Sequence, residues 1–157
     1  MLKFLNSFRN STFGWCMYDW ANSAFATSIT VAILPVYFVS LFKNSVGPES
    51  IILGFTFTGS SVWSLSVAIS TAIVAITSPA LGIIADRKSI RKYLLIIYTA
   101  AGSIFTTLLF FSAYFESLDW AWMFGCFLIA NVGFAGACVF YNSFLPHLGD
   151  RNEYDRI

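Results

Sequence analysis

Apolar residues fill this chain in four long runs, and the polar positions inside them recur at helical spacing. No Asp, Glu, Lys or Arg occurs in 20–42, 50–85, 93–115 or 120–149. Crossing the hydrocarbon core takes about 20 apolar residues at about 1.5 Å each, so every run can hold a spanning helix. The second run is too long for one span and too short for two with a turn. Its helix is expected from about Gly59 to Ala85, with the residues before it forming an exposed connection or a tilted extension. The pattern predicts an all-α integral membrane protein with four spans at about 14–42, 59–85, 92–115 and 120–146. Residues 1–12 form an N-terminal segment, and 150–157 begin a loop in which the chain stops.

Polar residues inside the runs fall on stripes. In the second span Ser60, Ser64, Ala68, Thr71, Ala75, Ser78 and Gly82 recur every three or four residues. Small residues let helix backbones approach in lipid, so this seam is expected to meet another helix and to make span two central. In the first span Asp19, Ser23, Ala26 and Thr30 lie within about 40° at 100° per residue, with Asn22 adjacent. A carboxylate in a membrane helix needs a polar cavity, a partner or the interface. Asp19 either caps the helix N-terminus at the boundary or lines a cavity. Pro35 removes one backbone bond and is expected to kink the span. In the fourth span Asn131 and Asn142 are eleven residues apart and share a face with Ala135 and Cys138. Interhelical hydrogen bonding and substrate contact both fit them. Gly133 and Gly136 thin this helix or let it bend.

Composition agrees with the pattern. Hydrophobic residues make up 57% and charged residues 11%, where a soluble chain carries about a quarter charged. Eight of the nine basic residues fall on one side of the proposed spans: Lys3 and Arg9, then Arg87, Lys88, Arg91 and Lys92, then Arg151 and Arg156. Lys43 alone lies on the other. Basic residues gather on the cytoplasmic side of short loops, which puts both termini in the cytoplasm. Trp15, Tyr18 and Trp20 at one end, and Tyr114, Trp120 and Trp122 at the other, suit interfacial belts. The first apolar stretch exceeds a signal-peptide core and lacks a cleavage pattern, so it is expected to be retained. A net charge of +1 with few basic residues leaves no footprint for nucleic acid. Cys16, Cys126 and Cys138 lack metal or redox spacing and read as small apolar fillers. His147, the only histidine, reads as an interface residue. Without a cluster of His, Cys and carboxylate, an enzyme is not expected, and no cofactor or metal is called for.

Between spans two and three the chain reads Gly82-Ile-Ile-Ala-Asp86-Arg87-Lys88-Ser89-Ile90-Arg91-Lys92. This resembles the loop signature of the major facilitator superfamily, a glycine, an Ala-Asp pair and a basic cluster joining helices two and three. Gly82 suits close helix contact, Asp86 can pair with a basic neighbour, and the basic residues suit an anionic leaflet. The pattern departs at Ser89, where the family usually has glycine, and at Ile90, usually basic. Span one reads Tyr18-Asp19-Trp20-Ala21-Asn22-Ser23-Ala24-Phe25-Ala26-Thr27, then Leu34-Pro35-Val36-Tyr37-Phe38. Span four ends Val139-Phe140-Tyr141-Asn142-Ser143-Phe144-Leu145-Pro146-His147-Leu148. Both are similar to the branch holding the vacuolar amino-acid effluxers linked to autophagy and their bacterial relatives. That resemblance implies two six-helix bundles around a central cavity, of which this chain carries four helices. It implies a substrate path along Asp19, Asn22, Ser23, Asn131 and Asn142. It also implies a cytoplasmic gating loop at Gly82, Asp86, Arg87, Arg91 and Lys92.

The expected function is transport of a small solute, an amino acid, by alternating access, with a proton as coupling ion. The expected partners are the lipid bilayer, the solute and the missing remainder of the transporter, without which the chain is expected to be inactive. The alternative is a four-span, non-catalytic membrane subunit whose span-two seam meets a partner. Compact loops suggest a bacterial cytoplasmic membrane, with a vacuolar membrane as the other candidate.

Overall fold

The computed structural model describes residues 2–52 and 54–145, with side chains from Phe13 onward except at 52 and 116. Pro146, His147 and the loop at 150–157 lie outside the described residues. Among those described, four helices are long and apolar enough to cross a membrane: Phe13–Ser45, Gly59–Lys88, Arg91–Ala113 and Asp119–Asn142.

The first span is three pieces in one rod. Helix α1 covers Leu2–Ala24, a π-helical stretch follows at Phe25–Ile33, and α2 covers Leu34–Ser45. Helical winding therefore starts well before residue 14 and takes in most of the segment expected at 1–12. Pro35 explains the change of winding. It has no N–H to give, and its ring collides with the carbonyl four residues back. In the π turn the Leu34 N–H reaches Ile29 O instead, which widens the helix just before the proline.

The connection before the second span is neither loose nor helical. Strands β1 (Glu49–Ile52) and β2 (Phe55–Thr58) pair antiparallel, with Ser50 opposite Phe57 and Ile51 opposite Thr56. Gly54 turns the hairpin at φ 81°, and Gly47 ends α2 at φ 108°, both in the left-handed region that favours glycine. β-branched and aromatic residues at alternating positions favour the strands.

Helix α3 (Gly59–Lys88) starts on a capping box. The Thr58 N–H donates to Ser61 Oγ at 2.9 Å, and the Ser61 N–H donates to Thr58 Oγ1 at 3.3 Å. It ends at Ser89, which takes the left-handed conformation at φ 53° and ψ 34°. The Ile90 N–H then returns to Ala85 O at 3.1 Å, a Schellman closure. Ser89 thus makes the turn that glycine makes in the signature it resembles. Helix α4 (Arg91–Leu108) tightens into a 3-10 turn at Leu109–Ala113. A short 3-10 turn at Glu116–Leu118 leads into α5 (Asp119–Asn142).

The central helix is α5, not α3. It buries ten residues from Met123 to Tyr141, more than any other helix, and packs on α2, α3 and α4. The α4–α5 contact is backbone to backbone: a Cβ on Gly133 would lie 2.6 Å from Gly102 N, and one on Gly136 would overlap the Tyr98 ring. The small-residue seam expected to pack α3 faces away from the described bundle. Ser60, Ser64, Ala68, Thr71 and Ala75 are exposed, while Gly59, Val62, Ser66, Ser70 and Val74 on the far face are buried. Both faces are rich in small residues, so spacing alone does not choose between them. A hydrogen bond does: Asn131 Nδ2 donates to Ser70 Oγ at 2.6 Å.

Leu34, Phe38, Phe42, Val62, Leu109, Met123, Cys126 and Phe127 form the main apolar core, at the hairpin end of the bundle. Trp63 packs at a tilt against Phe38 and Phe127, ring centres 5.7 and 4.2 Å away. Outside it, large apolar side chains face outward, such as Ile76 at 77% exposed and Val31 at 73%. A water-soluble monomer rarely shows so much apolar surface; a membrane helix needs it.

Candidate functional site

At the opposite end the helices part and leave a pocket of about 380 Å³ between α1, α4 and α5. Tyr18, Asn22 and Phe25 face it from the first span, Thr99, Ser103 and Thr106 from α4, and Phe134 from α5. Its lining is apolar with a few placed polar groups and no charge, the usual make-up of a small-molecule site. The Tyr18 and Thr99 hydroxyls hydrogen-bond at 3.0 Å. The Asn22 amide donates to Cys138 Sγ at 3.2 Å. Both contacts tie α1 to a neighbouring helix at the pocket wall. Phe25 and Phe134 meet at its deeper end, ring centres 5.0 Å apart.

An aromatic stack closes the basic-loop end of this junction. The Tyr141 ring lies between Trp15 at 4.5 Å and Tyr18 at 4.9 Å, and its hydroxyl donates to Trp15 O at 3.2 Å. Offset stacks of this kind contribute about 0.5–1.5 kcal/mol beyond area burial. They hold α1 to the end of α5 where the apolar core no longer reaches.

The residues expected along the path separate. Asn22 alone lines the pocket. Asp19 is exposed and sits deep in a continuous helix that begins at Leu2, so it is not an N-cap. Ser23 is exposed, and its carbonyl accepts from Thr27 Oγ1 at 2.8 Å. Asn131 is 7% exposed and spends its amide on Ser70. Asn142 is exposed at the end of α5. Asn131 and Asn142 share an azimuth but lie about 16 Å apart along the axis, one in the packed half and one at the open end.

The loop residues converge more closely. Arg91 Nε donates to Asp86 Oδ1 at 2.7 Å, and Arg91 Nη1 donates to Ser143 O at 3.4 Å. One guanidinium thus ties the end of α3 to the end of α5. A second cavity of about 330 Å³ opens beside it, lined by Ala85, Asp86, Ser89, Arg91, Lys92 and Phe144. Arg87 is exposed, and a Cβ on Gly82 would meet nothing within 4 Å. The close contact expected of Gly82 is therefore not made among the described residues; Gly133 and Gly136 make the close approaches instead.

Sequence reasoning passed over Thr99, Ser103 and Thr106. They recur at i, i+4 and i+7, so the same periodicity used for span one would have found them. Tyr18 and Tyr141 carried no such signal: Tyr18 read as part of an interfacial belt, and Tyr141 entered only as part of the segment ending span four.

The model of the family described as vacuole effluxer Atg22 like matches residues 8–155. An uncharacterized major-facilitator-type transporter, YxiO of Bacillus subtilis (strain 168), is 33% identical over 148 residues. That alignment covers 92% of this chain and 31% of the relative, so the chain spans about a third of the length of the curated relative it matches. No solved structure shows a significant match.

Proposed function

The chain belongs to the vacuole effluxer Atg22-like family of major facilitator proteins, and on that premise we propose that it supplies four helices of a transporter that moves an amino acid by alternating access. The observation that carries this reading is the uncharged, polar-edged pocket of about 380 Å³ between membrane-spanning helices α1, α4 and α5. Charge inside a membrane is costly unless paired, so a neutral lining suits the side chain of a small zwitterion while its charged ends are met elsewhere. In this reading Asn22 contacts the solute, and Asp19, Ser23 and Asn142, all exposed at the end of the bundle where Tyr141 meets Trp15 and Tyr18, line the remaining path. Asn131 supports the path from behind by fixing α3 against α5. Asp19 is the carboxylate that carries the coupling proton. Asp86, Arg87, Arg91 and Lys92 form the cytoplasmic gate, with Gly82 leaving room for helix motion beside it.

The exposed seam of α3 is the face that meets the remainder of the transporter. A bacterial cytoplasmic membrane is the proposed location, supported by the compact loops and the Bacillus relative. The same seam would also serve the second reading, a non-catalytic subunit packed against a different membrane partner.

Split complementation separates the two. The chain is co-expressed in a bacterium with the C-terminal two thirds of YxiO, and amino-acid counterflow is measured in membrane vesicles. Counterflow is expected from the pair and not from the chain alone. Pairing without flux would favour the subunit. In the active pair Asp19→Asn is expected to keep counterflow while abolishing its pH dependence; unchanged pH dependence would remove Asp19 from proton coupling.

A further inference from the structure

The first span is locked in the apolar core at one end and held at the other by surface contacts, an aromatic stack and two side-chain hydrogen bonds. Leu34, Phe38 and Phe42 of α2 are 7%, 0% and 1% exposed, locked in the apolar core. Between Phe13 and Ile33 no residue is buried, yet this half carries Tyr18, Asn22 and Phe25 to the pocket. What lies between the anchor and the pocket wall is the π stretch Phe25–Ile33. Its winding therefore sets which residues of α1 face the pocket. A π turn holds more residues than the 3.6 of an α turn, and a register change of one residue turns everything beyond it by about 100°.

Two side chains act on that winding in opposite senses. Pro35 disfavours the α form, because its ring collides with the carbonyl of Val31 and it has no N–H to donate. Thr30 disfavours the π form: its Oγ1 is buried without a hydrogen-bond partner. Thr27, one turn earlier, back-bonds to Ser23 O at 2.8 Å. In an α-wound segment Thr30 would reach the Ala26 carbonyl in the same way.

We infer that Pro35 is a positioning residue for the pocket: it holds the π winding that points Tyr18, Asn22 and Phe25 inward. The α-wound alternative, in which Thr30 finds its partner, swings them out. The use of this change to open and close the pocket rests on the transport reading; the winding itself does not.

The test is a crosslinking map on the full chain in membranes, with Cys16→Ser and Cys126→Ser leaving Cys138 as the native thiol. Ala21→Cys, Asn22→Cys, Ser23→Cys and Phe25→Cys are introduced singly. A short bis-thiosulfonate reagent links each to Cys138, and yields are read by mass spectrometry. Position 22 is expected to lead, since Asn22 Nδ2 lies 3.2 Å from Cys138 Sγ. With Pro35→Ala the yield at 22 is expected to fall at least about fivefold and the maximum to move to a neighbouring position, as a turn of about 100° requires. An unchanged map in Pro35→Ala overturns the inference. Should that variant fail to accumulate, Thr30→Val decides, because removing the hydroxyl favours the π form. Yield at 22 then rises; an unchanged or lower yield overturns the inference. Counterflow on the same variants in the split pair is a separate readout. A shifted map with no flux in the Pro35 parent would sink the transport reading and leave the winding intact.

Discussion

Gly133 sits where two helix backbones leave no room for a side chain. A Cβ there would be 2.6 to 2.8 Å from Gly102 N, Gly102 Cα and the Tyr98 carbonyl, all backbone atoms that cannot swing aside. Gly133→Ala is therefore expected to destabilise the α4–α5 pair by about 1–3 kcal/mol, read as a lowered midpoint in denaturant titration of the detergent-solubilised chain. Ser89 lies at the opposite extreme, in open space but in a strained conformation, φ 53°. A left-handed backbone costs a residue with a Cβ about 1–2 kcal/mol. Ser89→Gly is expected to recover about 1 kcal/mol of that in the same titration; a lowered midpoint would show that the serine makes a compensating contact. The sequence marked both positions for attention. It could not say that Gly133 is crowded while Gly82, the glycine of the loop signature, meets nothing within 4 Å, because crowding is a property of the neighbour and not of the residue.

Elements carry a different lesson, since α3 and the loop after it combine a local stop signal with a long-range tie. The Schellman turn at Ser89 brings Asp86 and Arg91 within 2.7 Å, and Arg91 then reaches Ser143 O on the far helix. The ion pair is half-open to solvent, 28% exposed at Arg91 and 59% at Asp86, so it adds about 1 kcal/mol or less to folding. Asp86→Asn is accordingly expected to leave the unfolding midpoint of the chain nearly unchanged while abolishing counterflow in the split pair. Normal flux in that variant would remove the gating role. The hairpin Glu49–Ile52/Phe55–Thr58 belongs to this scale too. Its Phe-Thr-Phe-Thr alternation was present in the sequence, but the stretch was expected only as an exposed connection or a tilted extension of the span, because most of it adjoins the apolar run without a charge.

Across the whole molecule, orientation follows from where the charges lie. With Ser50 and Ser89 changed singly to Cys in a background without native cysteines, an impermeant maleimide is expected to label position 50 from outside intact cells. Position 89 is expected to label only after permeabilisation; the reverse result would invert the topology. The number of spans and their membrane setting were legible in the sequence. A charge-free apolar run must leave water wherever its neighbours fall, so that information is local. Which helix is central, which face of α3 is used and where the pocket opens were not legible. Those depend on a choice among several equally small, equally apolar faces, made by particular meetings: Asn131 with Ser70, Gly133 with Gly102, and Tyr141 between Trp15 and Tyr18. Sequence by itself determined that this chain lives in a bilayer as four helices, because the hydrophobic effect acts on each segment alone. Tertiary structure decided that Asn22 faces the pocket while Asn131 is taken up by Ser70, because a polar side chain's role in lipid depends on whether another helix brings it a partner.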